Sequence, residues 1–135
     1  MPDALVVPDS IARQADPSLP AFECSRTEGG LDAALVYVAG ELDIATTPQF
    51  DRVLRESQCR TRLVVLDLRE LAFMDSSGVR AIVNASIRAR EVGRQLVVLP
   101  GPPNVDRMFA LTGSADDVEI GEVSSLLALI EDESV

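Results

Sequence analysis

Histidine and lysine are both absent from this chain of 135 residues, and its 12 basic residues are all arginines. Histidine is the commonest general base and metal ligand in proteins. Without histidine or lysine, a serine nucleophile would have to be activated by an aspartate or by a chain terminus. The G-x-S-x-G pattern of hydrolases is missing as well. These absences argue against a serine hydrolase, and we expect a protein that is not an enzyme.

Cysteine is scarce, and the phosphate-binding glycine motifs are missing. Cys24 and Cys59 lie far apart and match no metal or redox spacing, so we expect two reduced, partly buried thiols. The chain has neither G-x-x-x-x-G-K-[ST] nor G-x-G-x-x-G, the patterns typical of nucleotide sites. The sequence therefore predicts no metal and no cofactor.

Long apolar runs and an excess of basic charge are also missing. No segment reaches the length of about 20 apolar residues that spans a bilayer, and residues 1–20 lack the basic start and apolar stretch of a secretory signal. We therefore expect a cytoplasmic protein without a membrane partner. The net charge of −10 argues against nucleic-acid binding. It suits a partner with a basic face, although solubility alone explains it equally well.

The chain divides into a proline-rich start and one regular domain. Residues 1–20 contain four prolines and predict an extended arm, in which "ALVV" could add one edge strand. Residues 21–135 are long enough for a single domain. In this domain "AFECSR" (21–26) and "DAALVYVAG" (32–40) predict two strands of a hairpin.

Strands and helices then alternate along the chain. A helix is predicted from Pro48, capped by Thr46 or Thr47. The apolar run 62–68 is typical of a central strand of a parallel sheet, and the following helix has an apolar stripe of Val79, Ile82, Val83 and Ile87. The remaining predicted elements are a strand at 94–100, a helix at 102–113, a short strand at 118–120 and a last helix at 124–132 with Leu126, Leu127 and Ile130 facing inward. The fold class predicted is α/β, with four or five strands.

The stretch "MDSSG" at 74–78 has several interpretations. Asp75, Ser76 and Ser77 are all residue types that cap helix N-termini. A strand-to-helix junction also favours anions, although this alone is no nucleotide pocket. As a phosphate acceptor, a serine here would add about −1.5 to −2 charge in the first helical turn, which the helix dipole tolerates. Capping and phosphorylation are compatible interpretations.

Three segments resemble the STAS domain, and in particular the bacterial anti-sigma factor antagonists. They are "GELDIATTP" at 40–48, "LVVLDLRELAFMDSSGVRAIVNA" at 63–85 and "PNVDRMFALTG" at 103–113. The resemblance covers the chain from about residue 21 onward. It implies a STAS-like single domain, whose four- to five-stranded mixed sheet has helices packed on one side.

The resemblance also implies a partner-switching function in transcription regulation, such as a stress response. An unphosphorylated antagonist binds an anti-sigma factor that is a serine/threonine kinase, and thereby releases a sigma factor. The kinase phosphorylates the first serine of the motif, here Ser76, and a PP2C-type phosphatase restores the binding form. The residues implied in partner binding are Asp75, Ser77, Gly78, Gly40, Glu41 and Asp43, with Gly78 letting the partner approach closely.

An alternative is a STAS scaffold or complex subunit, in a stress-signalling or transport assembly, in which Ser76 is never phosphorylated. An edge strand or the N-terminal arm could also mediate a homodimer. The acidic end "EDESV" is most simply a solvated tail.

Overall fold

The computed structural model describes residues 21–30 and 32–122. They form a five-stranded sheet in the order β1-β2-β3-β4-β5, with three α-helices and a 3₁₀ turn at Ala115–Asp117. The strands are β1 (Glu23–Glu28), β2 (Ala33–Leu42), β3 (Leu63–Met74), β4 (Gln95–Leu99) and β5 (Glu119–Ile120). The helices are α1 (Thr47–Arg60), α2 (Ser76–Glu91) and α3 (Pro103–Leu111).

The sheet is mixed, as predicted. β1 and β2 form the antiparallel hairpin, with Glu23 opposite Ala39 and Glu28 opposite Ala34. β2, β3, β4 and β5 are mutually parallel neighbours, and one helix lies in each connection between them. This arrangement confirms the predicted α/β class. β3 continues to Met74 and is longer than the predicted segment 62–68, because it pairs with β2 along nearly its whole length.

The larger of the two hydrophobic clusters in the described residues forms a core between the sheet and the three described helices. Side chains from every helix, among them Phe50, Ile82 and Phe109, share a buried cluster with strand residues such as Val38 and Leu66. The helices therefore pack on one side of the sheet, as the fold prediction required. This core positions the carboxyl ends of β2 and β3 beside the first turns of α1 and α2.

The buried stripe of α2 differs from the predicted one. Ile87 is 39% exposed, and Ser86 with Ala89 occupies the buried positions instead. Buried positions at 79, 82, 86 and 89 follow the helical period, which places position 87 one step off this line. Small side chains at 85, 86 and 89 let α2 lie close to the sheet. A prediction based on the spacing of large apolar residues does not detect such positions.

The two cysteines differ in environment. Cys24 is half-buried, and this burial raises the pKa of its thiol to about 11, so that the thiol stays protonated at neutral pH. Cys59 is exposed on α1, so the prediction of partial burial is wrong for this residue.

Two predicted elements cannot be compared with the structure. The N-terminal arm with its "ALVV" strand and the last helix at 124–132 lie outside the described residues. Among the helices of the described segments, none combines the length and apolar character needed to cross a bilayer. Within the same segments, no cluster of three or more potential ligand side chains could hold a metal ion.

Candidate functional site at the start of helix α2

Asp75 is the N-cap of α2. The sequence left Asp75, Ser76 and Ser77 as candidates, and the structure selects the aspartate. Its backbone is extended, and its carboxylate oxygen Oδ1 accepts hydrogen bonds from the backbone N–H groups of Ser77 at 2.8 Å and Gly78 at 3.3 Å. The N–H of Ser77 has no other acceptor among the described residues, and that of Gly78 also donates to the backbone carbonyl of Asp75 at 3.1 Å. The Asp75 side chain thus provides the cap and leaves both serine hydroxyls without a capping role.

Ser76 is the exposed residue of the motif. It is the first residue of α2, and its hydroxyl makes no hydrogen bond with residues 21–30 or 32–122. Ser77 is half-buried and lines a groove of about 370 Å³ between α1 and α2. Of the two hydroxyls, that of Ser76 is therefore the more accessible to another protein.

The loop after β2 lies directly beside this helix start. Leu42 and Met74 are paired residues of the parallel strands β2 and β3, and the backbone N–H of Asp75 donates to the carbonyl of Leu42 at 3.1 Å. The carboxyl ends of parallel strands meet at one edge of a sheet. The tertiary structure thus brings together the two segments that the resemblance implied in partner binding, 40–43 and 75–78.

Side-chain hydrogen bonds shape the loop that connects β2 to α1. Oδ1 of Asp43 accepts from the N–H groups of Ala45 at 3.0 Å and Thr46 at 3.1 Å. The hydroxyl of Thr46 donates to the carbonyl of Glu41 at 2.9 Å and accepts from the N–H of Asp43 at 2.9 Å. Thr46 is at the N-cap position, but its hydroxyl caps no helical N–H. The prediction that Thr46 or Thr47 caps α1 with a side-chain hydrogen bond is therefore wrong. The hydroxyl of Thr46 is engaged in hydrogen bonds within the loop instead.

The two glycines of the site are required by packing inside the chain. Gly40 has φ +94°, and a Cβ there would lie 2.7 Å from the carbonyl oxygen of Ala21. A Cβ on Gly78 would lie 2.7 Å from Cγ of Met74 and 2.9 Å from Cγ of Leu42. Both glycines are buried. The structure thus supplies an internal reason for Gly78, which the resemblance had related to the approach of a partner.

Two exposed apolar side chains flank the motif, and sequence reasoning missed both. Ile44 is 76% exposed in the loop after β2, and Phe73 is 45% exposed near the end of β3. Half-buried carboxylates of Glu41, Asp43 and Asp75 lie in the same two segments. Ile44 had a detectable signal, because it is the one large apolar residue in the polar segment "DIATT". Apolar side chains with a polar rim are typical of protein-binding surfaces.

The capping role of Asp75 leads to a stability prediction. Asp75→Ala is expected to lower the free energy of unfolding by about 0.5–2 kcal/mol, because the N–H of Ser77 loses its acceptor and that of Gly78 keeps only the backbone carbonyl of residue 75. Asp75→Asn should retain most of the stability, since the amide oxygen also accepts. Urea unfolding followed by far-UV circular dichroism measures both. Ser76→Ala serves as the control, and a loss as large as that of Asp75→Ala would contradict this assignment of the cap.

Comparison with known proteins identifies the family. A model of the STAS domain matches residues 26–126. The chain belongs to the STAS domain family. An anti-sigma-B factor antagonist of Listeria monocytogenes is 34% identical over 89 residues, which cover 65% of this chain and 78% of the relative. This STAS protein thus has a curated relative named as a regulatory antagonist, not as an enzyme, in agreement with the expectation from the sequence.

Solved structures agree with the fold. The anti-sigma factor antagonist SpoIIAA in its unphosphorylated form has a TM-score of 0.64 at 19% identity, over 80% of this chain and 94% of that one. The Bacillus SpoIIAA in its phosphorylated form has a TM-score of 0.59 at 19% identity, over 79% and 96%. At this identity the likeness concerns the fold alone, and the STAS-like architecture expected from the sequence is confirmed.

Proposed function

We propose that this STAS protein is an anti-sigma factor antagonist controlled by phosphorylation of Ser76. With Ser76 unmodified, it binds an anti-sigma factor that is a serine kinase, and a sigma factor is released. Phosphorylation of Ser76 by that kinase dissociates the complex, and a PP2C-type phosphatase reverses it. All these partners act in the cytoplasm. The name of the Listeria relative, an anti-sigma-B factor antagonist, supports the partner class.

The observation that carries the proposal is the division of roles between Asp75 and Ser76. Asp75 caps α2, while the Ser76 hydroxyl is exposed and makes no hydrogen bond within the described residues. A phosphate on Ser76 therefore removes no structural hydrogen bond. Its negative charge lies at the helix N-terminus, where the dipole contributes about 0.3–1 kcal/mol in its favour. The domain is able to carry the modification without unfolding.

The surroundings of Ser76 explain how the phosphate would dissociate a partner. The carboxylates of Asp75, Glu41 and Asp43 belong to the same edge of the sheet, so a phosphate on Ser76 would add to negative charge already present there. Phosphate adds about −1.5 to −2 charge in a contact that also covers apolar Ile44 and Phe73. Burying that charge without a partner costs several kcal/mol, and each 1.4 kcal/mol is a tenfold loss of affinity.

Arg80 offers the free protein a partner for the phosphate. It is exposed on α2, four residues after Ser76, and has no ion pair with the described residues. Side chains at this spacing are neighbours on a helix surface. Phosphorylated Ser76 would thus be stabilised in the released protein and destabilised in the complex. SpoIIAA, which shares the fold, exists in phosphorylated and unphosphorylated forms.

Phosphorylation of Ser76 is tested directly by mass spectrometry. The protein is incubated with ATP and the anti-sigma-type serine kinases encoded in the same genome, and the modified residue is located by peptide sequencing. We expect phosphate on Ser76, complete loss of labelling in Ser76→Ala, and retained labelling in the matched variant Ser77→Ala. Addition of a PP2C-type phosphatase should remove the label.

Two outcomes would contradict the proposal. Labelling that persists in Ser76→Ala and disappears in Ser77→Ala would move the switch to the half-buried serine. Absence of labelling by every such kinase would favour a STAS scaffold or complex subunit in which Ser76 is not modified.

A further inference from the structure

A second polar region lies at the end of the sheet opposite to Ser76. It is a cavity of about 550 Å³ where β3, β4 and β5 begin and α2 ends. This volume is within the range of small-molecule sites, about 300–1,000 Å³. The polar side chains of its wall are those of Arg62, Ser86, Arg90, Arg94, Gln95 and Glu119.

The cavity is basic in an acidic protein. Three arginines, Arg62, Arg90 and Arg94, line it together with one carboxylate, Glu119, whereas the whole chain carries a net charge of −10. The Glu119 carboxylate accepts from the Gln95 side-chain amide at 3.0 Å through both oxygens. It makes no ion pair with the arginines among the described residues, so their charge remains uncompensated inside the cavity.

The guanidinium groups retain most of their donors. Arg62 has no side-chain partner in the described part of the chain, and Arg90 donates one Nη1 bond of 3.4 Å to the carbonyl of Asp117. Nη1 of Arg94 donates to the carbonyl of Gln58, which anchors this side chain against α1. A guanidinium has five N–H donors and no acceptor. The unused donors match the oxygens of carboxylates and phosphates, which arginine binds in a bidentate manner.

Ser86 supplies an independent indication of a ligand. The residue is 3% exposed and lies in the cavity wall, and its hydroxyl has no hydrogen-bond partner among the described residues. A buried hydroxyl without a partner costs about 1–3 kcal/mol. A ligand oxygen at the bottom of the cavity would satisfy it, while the same ligand meets the arginines nearer the opening.

We propose that this cavity binds a small dianion, either a phosphomonoester or a dicarboxylate. Arg62, Arg90 and Arg94 neutralise the anionic group, and the hydroxyl of Ser86 hydrogen-bonds to it. The negative charge of Glu119 repels the bound anion and lowers its affinity. The site lies at the opposite edge of the sheet from the Ser76 motif, so ligand binding and phosphorylation of Ser76 are tested separately.

The site is tested by titrating the full-length protein and following its ¹H–¹⁵N NMR spectrum. The probes are glycerol 3-phosphate, succinate, inorganic phosphate and, as a neutral control, glycerol. We expect one of the dianions to bind with a Kd below about 1 mM. The shifted signals should belong to Arg62, Ser86 and Gln95 and leave Ser76–Gly78 unchanged. The comparison of glycerol 3-phosphate with succinate distinguishes the phosphate class from the dicarboxylate class.

Variants separate the roles of the wall residues. Arg62→Ala and Arg90→Ala should each raise the Kd about tenfold, whereas Arg107→Ala, which removes an exposed arginine outside the cavity on α3, should not. Ser86→Ala should raise the Kd about three- to tenfold without lowering the thermal midpoint, because the lost hydroxyl has no partner in the free protein. Glu119→Gln keeps an acceptor for Gln95 and should tighten binding.

Specific results would overturn the proposal. They are a Kd above about 1 mM for every dianion, an Arg107→Ala effect equal to that of Arg62→Ala, or shifts confined to the start of α2. None of these results bears on kinase labelling of Ser76, so failure of the cavity proposal leaves the proposed switch standing.

Discussion

Ser76→Glu is expected to weaken binding of the anti-sigma factor by at least about a hundredfold. The thermal midpoint of the isolated protein should change by less than about 3 °C. Isothermal titration calorimetry with the purified anti-sigma factor measures the first quantity, and differential scanning calorimetry measures the second. The prediction rests on an opposite effect of one negative charge in the free protein and in the complex.

In the free protein the new carboxylate costs little. Ser76 is exposed and its hydroxyl makes no hydrogen bond within the described segments, so the substitution removes no native contact. The α2 dipole favours a negative charge in its first turn. In the proposed complex, the same charge would be buried beside Asp75 and the loop that contains Glu41 and Asp43, where negative charge is already present.

Two control variants separate this effect from simpler ones. Ser76→Ala keeps the site neutral and should bind nearly as well as the unmodified protein. Ala110→Glu adds the same charge at an exposed position of α3, away from the motif, and should bind normally. If Ser76→Glu instead unfolds the domain, Ser76 is a structural residue and the switch is wrong. If Ala110→Glu weakens binding equally, the effect of Ser76→Glu is due to the net charge of the protein and not to the position of the charge.

Gly78→Ala is expected to lower the free energy of unfolding by about 1–3 kcal/mol. The usual effect of this change inside a helix is the reverse, a gain of about 1 kcal/mol, because alanine is the better helix former. At Gly78 the new Cβ meets Cγ of Met74 at 2.7 Å and Cγ of Leu42 at 2.9 Å. Both neighbours are almost fully buried and have little room to move. Thermal and urea unfolding followed by circular dichroism give the change.

A double-mutant cycle tests the cause. Met74→Ala removes the nearest obstructing atom, so the double variant should be less destabilised than the sum of the two single variants. Asn84→Ala, at an exposed position of α2, reports the effect of helix propensity alone and should be neutral or stabilising. If Gly78→Ala stabilises the protein as Asn84→Ala does, there is room for a Cβ beside Gly78, and the proposed packing reason for this glycine is wrong.

Much of the fold could be predicted from local patterns. The apolar run 62–68 indicated a central strand, and Pro48 after two threonines indicated the start of α1. Alternating strands and helices then required a parallel sheet. The predictions of buried residues were wrong where burial depends on contacts with distant parts of the chain. Ile87 is apolar but exposed, because the sheet surface opposite α2 admits small side chains at 85, 86 and 89.

The candidate site was predicted only in part. The motif at 74–78 and its position at a helix start followed from the sequence, since strand, polar residues and helix succeed one another there. The choice of Asp75 as cap required the backbone geometry at the end of β3. The exposure of Phe73 required the structure, whereas the position of Ile44 in a polar segment was a detectable signal that was missed.

The sequence by itself determined the order of the elements, the lack of histidine and lysine, and a serine at the start of α2, because these depend on residue types and on spacings of a few positions. Only the tertiary structure decided which groups meet. Pairing of β2 with β3 placed Leu42 beside Met74 and Asp75. Pairing of β3 with β4 and packing of α2 on the sheet gathered Arg62, Ser86 and Arg94 around one cavity. Contacts between distant residues depend on strand register and helix packing, and short segments do not encode them alone.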